Sequence, residues 1–225
     1  VEVVEMSHLD VERARFNMIE QQIRPWEVLD ARVLEALHRI HREEFVPAAH
    51  RALAFVDTEV PLPHGQCMLA PKIEARMLQE LMLTPTDVVL EVGAGSGHMA
   101  ALLASLGRTV HTVERVAELE ALARENLTRA RVGNVRVHGG DGSKGLFALA
   151  PFDAIVLSGS VAEVPRVLLE QLRAGGRLVA IVGHPPVMQA VRFTRTAASG
   201  FERVELFDTV APRLVGFEEP PRFRF

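Results

Sequence analysis

A chain of 225 residues with 48% hydrophobic and 24% charged residues has room for one sizeable core, which excludes a disordered or fibrous protein. Its net charge of −4 and lack of a long basic run make nucleic acid a poor partner. The single cysteine, Cys67, excludes an internal disulfide framework and a cysteine-based structural zinc site. No apolar run approaches the roughly 20 residues that cross a bilayer. Val1 to Asp10 lack a signal-peptide apolar core, so a cytoplasmic location is expected. Oligomeric state is not legible.

In chain order, Ser7-x-x-Asp10 has the spacing of a capping box and predicts a helix carrying Phe16, Ile19 and Ile23. Arg24-Pro25 ends it, because the residue before proline is pushed out of the α region. Trp26, Leu29, Val33, Leu37 and Ile40 predict a second amphipathic helix. Pro47, Pro61 and Pro63 make 43–64 an extended connection. About residues 1–65 therefore read as a helical cap on a core over about 66–225, within one domain. Pro71 suits the first position of a helix whose buried stripe is Ile73, Met77, Leu78 and Leu81.

From there strands and helices alternate. Strands are predicted at 88–92, 109–114, 134–138, 152–157 and 177–182, with helices near 98–106, 117–129 and 164–172 and a turn at Gly175-Gly176. That alternation predicts an α/β fold with a doubly wound, mostly parallel sheet. Strands at 187–196 and 201–208 are joined by the short turn Ala198-Ser199-Gly200, so at least one runs antiparallel. The basic, aromatic tail from Pro220 to Phe225 reads as a loosely docked segment.

The richest stretch is Val88-Val89-Leu90-Glu91-Val92-Gly93-Ala94-Gly95-Ser96-Gly97-His98. A buried strand hands over to a helix across a turn tight enough for a ligand to approach the backbone. Glu114 follows about twenty residues later, where nucleotide-binding α/β units place the acceptor for the ribose hydroxyls. A dinucleotide fingerprint would need glycine where His98 stands, which disfavours an NAD-dependent oxidoreductase. The acidic-x-Gly-x-Gly-x-Gly form is similar to that of S-adenosylmethionine methyltransferases. In open α/β sheets ligands bind beyond the carboxyl ends of the strands. Those ends are Glu91-Val92-Gly93, Glu114, Gly140-Asp141-Gly142 and Leu157-Ser158-Gly159-Ser160, and acidic or small polar residues cluster at every one.

Several segments together resemble the protein-L-isoaspartate (D-aspartate) O-methyltransferase family: Arg42 to Pro47, Pro61 to Gln66, Ala70-Pro71, Val89 to Gly97, His138 to Gly142, Pro151 to Ile155 and Leu172 to Leu178. The resemblance implies a Rossmann-like, seven-stranded methyltransferase domain with N-terminal helices folded over the site. It implies S-adenosylmethionine as cofactor and isoaspartyl-containing proteins as substrate, in protein repair. Glu91, Gly93, Gly95 and Gly97 would border the methionine part, with Ala94 inside the same turn. Glu114 would hold the ribose, Asp141 the adenine amino group, and Gly142 would give backbone access. Ala70 and Pro71 would close over the cofactor, and Ser158 is counted with these residues from its strand end.

The family pattern Gly-Gln-Thr-Ile-Ser-(Gln/Ala)-Pro is here Gly65-Gln66-Cys67-Met68-Leu69-Ala70-Pro71, so the active-site serine falls on Leu69 and the threonine on Cys67. A carboxylate acceptor is ionised at neutral pH and needs no general base. The serine hydroxyl would contribute orientation, roughly 0.5–1.5 kcal/mol and more toward a charged acceptor. Two other readings stay open. A phenol, quinone or amine acceptor would need a base, for which His64 and His98 are the candidates, with Cys67 beside His64 as a thiol nucleophile. A binding-only module would keep the cofactor as a sensor. No histidine–carboxylate spacing suggests a metal site.

Overall fold

The computed structural model describes residues 8–197 and 200–217. Helix α1 (His8–Met18) runs on through a π-helical turn at Ile19–Ile23 and a 3-10 turn at Arg24–Trp26. Met18, Ile19 and Ile23 are buried. Phe16, expected on that buried stripe, is instead half-exposed, with its ring 6.3 Å from that of His38. The capping box falls partly on Ser7, outside the described residues. Helix α2 (Ala31–Arg39) begins later than Trp26 because the Asp30 carboxylate caps it, accepting the Arg32 N–H at 2.9 Å.

The 43–64 connection is more folded than expected. Short 3-10 turns form at Arg42–Glu44, Ala48–Leu53 and Pro63–Gly65. Strand β1 (Val60–Pro61) pairs antiparallel with β2 (Cys67–Met68), and this small hairpin presents Gln66 to Leu69 toward the main sheet. Helix α3 (Pro71–Glu80) starts on its proline as expected.

The main sheet comprises β3 (Val88–Val92), β4 (Thr109–Glu114), β5 (Val135–Gly139), β6 (Phe152–Val161), β7 (Leu172–His184), β8 (Val187–Arg195) and β9 (Phe201–Asp208). Between them lie α4 (His98–Leu106), α5 (Ala117–Arg129) and α6 (Arg166–Leu169). The order is β5-β4-β3-β6-β7-β8-β9; the first five strands are parallel, β8 pairs antiparallel with both its neighbours, and β9 again runs in the direction of the first five. Alternate side chains feed two apolar layers. Val89, Val110, Val156 and Val179 join the helices α2 to α5, while Leu90, Val113, Ile155 and Leu178 pack with Leu168 of α6 and with Leu214.

Two expectations in the second half are corrected. The helix predicted at 164–172 lasts only four residues, because Leu172 already pairs with Phe152 and draws the chain into β7. Gly175-Gly176 is not a turn that precedes a strand. It lies inside β7, at the register shift between Phe152 and Ala154. Because β3 pairs with β4 on one side and β6 on the other, the chain winds away in both directions from β3. A crevice opens at such a switch point, beyond the strand ends.

Candidate active site

The turn after β3 is built on three left-handed glycines, with φ of +94° at Gly93, +52° at Gly95 and +85° at Gly97. That conformation is costly for any residue with a Cβ. The turn is locked from the neighbouring strand: Glu114 accepts the Gly95 N–H through Oε2 at 2.9 Å and the Val116 N–H through Oε1 at 3.0 Å. Each carboxylate oxygen keeps a lone pair for a ligand hydroxyl.

Above this turn the crevice divides into two adjoining chambers that share Cys67, Gly93, Gly95 and Ser158 as walls. The larger, about 480 Å³, is bordered by Val92, Val113, Glu114, Leu119 and Gly142. Its roof is Leu214, Val215 and Phe217, held down where Ser160 donates its N–H to the Pro212 carbonyl and accepts the Leu214 N–H. A Cβ on Gly93 would come within 2.8 Å of the Leu214 side chain, so only glycine lets the roof sit this low.

The smaller chamber, about 340 Å³, lies between Leu69, Glu74, Glu91, Ala94 and His98. Glu91 is fully buried, and accepts the hydroxyls of Thr112 and Ser158 at 2.7 Å each. Burial pushes its carboxyl up to about 8, with the nearby Glu74 and Glu114 acting in the same direction and the two hydroxyls opposing. Glu74 is held below the usual carboxylate range: burial opposes this, but His98 and Arg42 together outweigh it.

Position 69 brings an apolar side chain into the smaller chamber, as the sequence requires, and its carbonyl accepts from Arg42 Nη2 at 2.8 Å. Cys67 lines both chambers, but burial, followed by the Glu59 carboxylate, pushes its thiol up to about 12. At neutral pH it is a thiol, so the thiolate-nucleophile reading lacks its reactive form. His64 borders neither chamber; it is half-exposed, with Nε2 2.7 Å from Glu118. His64 therefore stands apart from both chambers, on the Glu118 side of the hairpin. His98, in contrast, is buried at the chamber wall.

Of the other predicted residues, Gly142 borders the larger chamber, whereas Asp141 stands at its rim, accepting the Ser143 N–H and paired with Arg115 at 3.2 Å. Gly97 faces away: a Cβ there would meet Ala123 and Leu127 of α5. Ala70 and Pro71 start α3 behind the hairpin and border neither chamber. Sequence reasoning missed the Leu214–Phe217 roof and the buried Arg42–Glu74–His98 cluster. Glu74 did leave a signal, since it shares a helix face with Met77, Leu78 and Leu81, and a charge on an apolar stripe needs a buried partner.

A doubly wound sheet with a carboxylate-locked glycine turn at its switch point defines a Rossmann-like, nucleoside-binding α/β protein of the methyltransferase type. The comparisons narrow this. Residues 13–209 match the family described as Protein-L-isoaspartate(D-aspartate) O-methyltransferase (PCMT), and the chain belongs to that family. It is similar to the protein-L-isoaspartate O-methyltransferase of Koribacter versatilis, 44% identical over 92% of this chain and 91% of that one. The Rhodopseudomonas palustris enzyme of the same name is 43% identical over 89% and 93% of the two chains. Among solved structures, a Plasmodium falciparum chain assigned to PCMT, in complex with S-adenosyl-L-homocysteine, aligns with a TM-score of 0.77 at 22% identity, covering 93% of this chain and 99% of that one. A second, titled protein-L-isoaspartate O-methyltransferase, gives 0.72 at 23% identity, covering 92% and 67%. These two bear on the fold.

Proposed function

We propose that this chain methylates the carboxylate of L-isoaspartyl residues in damaged proteins, using S-adenosylmethionine. The observation that carries the reading is the position of Gln66, the last residue of the family-like Pro61–Gln66 segment, which borders the larger chamber together with Gly93, Gly95 and Glu114, while the departing residues Cys67 to Leu69 wall the smaller one. The residues present fit the cofactor chemically. Glu114 offers ribose acceptors, Val92, Val113 and Leu119 give an apolar slot, and Glu91 and Glu114, the two acids of the crevice without a basic partner among the described residues, suit a cationic ligand. Burial raises the Glu91 carboxyl, and a cationic group beside it would favour its charged form.

When bound, the cofactor supplies an electrophilic methyl group. The chain's task is then to align an already ionised acceptor and keep the site dry. Leu69 and Met68 supply an apolar wall, and Arg42 holds the hairpin in place through the Leu69 carbonyl. Among the described residues no helix is long and apolar enough to cross a membrane. The free thiol of Cys67 supports a cytoplasmic setting, and the net charge of −4 supports a protein rather than a nucleic-acid substrate. Labelled-methyl transfer to an isoaspartyl peptide and to its normal aspartyl counterpart tests the proposal. Transfer to the isoaspartyl form alone is expected; equal transfer to both, or none to either, rejects it.

A further inference from the structure

Glu74 is the one carboxylate on the buried face of α3, and its Oε2 is shared by two nitrogens. Arg42 Nη1 donates to it at 2.6 Å, and His98 Nδ1 lies 2.8 Å away. The His98 ring is 2% exposed and its edge packs against Phe45, with centroids 5.3 Å apart. With Nδ1 engaged by Glu74, the other ring nitrogen, Nε2, is buried and has no hydrogen-bond partner. Buried polar atoms without partners are uncommon and need a reason. This one belongs to a side chain that walls the smaller chamber together with Leu69.

We propose that His98, oriented by Glu74, is this chain's substitute for the hydroxyl absent at position 69: it donates Nε2–H to the acceptor carboxylate and takes up a proton as that carboxylate enters. The proposal rests on the isoaspartyl reading above. Its electrostatic basis is local. The groups facing His98 are Arg42 from the 42–44 turn, Glu74 from α3 and Glu91 from β3, with Cys67, Leu69 and Phe45 uncharged around them. Arg42 and Glu74 neutralise each other. An entering carboxylate adds a negative charge beside Glu74 in a poorly solvated space, and an imidazolium between the two compensates it. Imidazole is the side chain suited to such a change near neutral pH. A Glu–His pair that only tied α3 to α4 would have no reason to take up a proton from solvent when substrate enters.

The test is calorimetry on the full chain saturated with S-adenosylhomocysteine, titrated with isoaspartyl and normal aspartyl peptides at pH 7.5 in two buffers of different ionisation enthalpy. For the wild type, up to one proton taken up per isoaspartyl peptide is expected. His98→Gln should abolish that uptake and weaken peptide binding to the S-adenosylhomocysteine-saturated chain at least fivefold. Adding Leu69→Ser to His98→Gln should restore most of the peptide affinity without restoring proton uptake. Isoaspartyl-selective binding without uptake overturns the role of His98 and leaves the isoaspartyl reading intact. Uptake that persists in His98→Gln assigns the proton to Glu91 and also overturns it. Binding that fails to distinguish the two peptides sinks the isoaspartyl reading and this proposal with it. The wild-type measurement decides by itself should His98→Gln not fold.

Discussion

The Glu114 carboxylate and the Gly95 backbone N–H are 2.9 Å apart, so the acid at the end of β4 and the glycine turn after β3 form a single hydrogen-bonded unit. The same side chain also accepts the Val116 N–H at the start of α5. The shape of the turn and the start of α5 therefore depend on one residue, the same one proposed to hold the nucleoside.

Replacing Glu114 with Ala removes the ribose acceptor and frees both backbone donors. Affinity for S-adenosylhomocysteine should fall by about 1.5–3 kcal/mol, roughly 10- to 150-fold, as expected for lost bonds to a charged acceptor. Glu114→Gln should recover only part of this, since its amide nitrogen would face one of the two N–H groups. Titration calorimetry measures both variants, and an unchanged dissociation constant for Glu114→Ala would remove Glu114 from the binding site.

Glu91 makes a pH prediction. Its folded-state value of about 8 lies above the ordinary 4.5, so the native protein holds this proton more tightly than the unfolded chain does. The resulting stabilisation is complete below about pH 4.5 and is lost as pH rises to about 8. Glu91→Gln keeps the shape and deletes the titration. Between pH 5 and pH 8.5 the variant should gain on the order of 2–4 kcal/mol relative to wild type, read from urea denaturation midpoints. Parallel curves for the two proteins would contradict it. Cationic ligands should likewise bind more tightly to the wild type as pH rises through this range, with release of a proton.

Arg42 makes a stability prediction. Its guanidinium is buried against Glu74 and the Leu69 carbonyl, with burial acting to lower its affinity for the proton and Glu74 restoring it. Arg42→Met should cost about 3–5 kcal/mol because Glu74 loses a charge partner, whereas Arg42→Met with Glu74→Met should cost clearly less. Thermal unfolding of the two variants decides the matter; a double variant no more stable than the single one would show that charge burial is not the cause.

Much of this architecture was legible because the buried strands carry their own punctuation. Val88–Val92 ends at Gly93, Thr109–Glu114 is flanked by Gly107 and followed by a helix-forming run, and α4 and α5 fall where their apolar patterns place them. The failures share a cause. Helix α6 is shorter than its pattern because Leu172 finds a strand partner in Phe152, a pairing between residues twenty positions apart that no local spacing records. That Gly93, Gly95 and Glu114 border the crevice could be expected because strand ends and crevices coincide in this fold class, whereas Gly97 packs against α5. The Leu214–Phe217 roof could not be, since it reaches the site by returning after β9 to the end of β6, a contact between residues 51 positions apart.

Ser160 donates its side-chain hydroxyl to the Ala211 carbonyl at 2.8 Å while its backbone grips Pro212 and Leu214 on either side. Ceiling and foundation are thereby stitched by a single serine of the central strand. The covering stretch is not an independent flap: lifting it breaks all three Ser160 bonds at the end of β6. Deuterium should enter the Ser160 and Leu214 amides together, and a nucleoside lodged beneath them should retard both to the same degree.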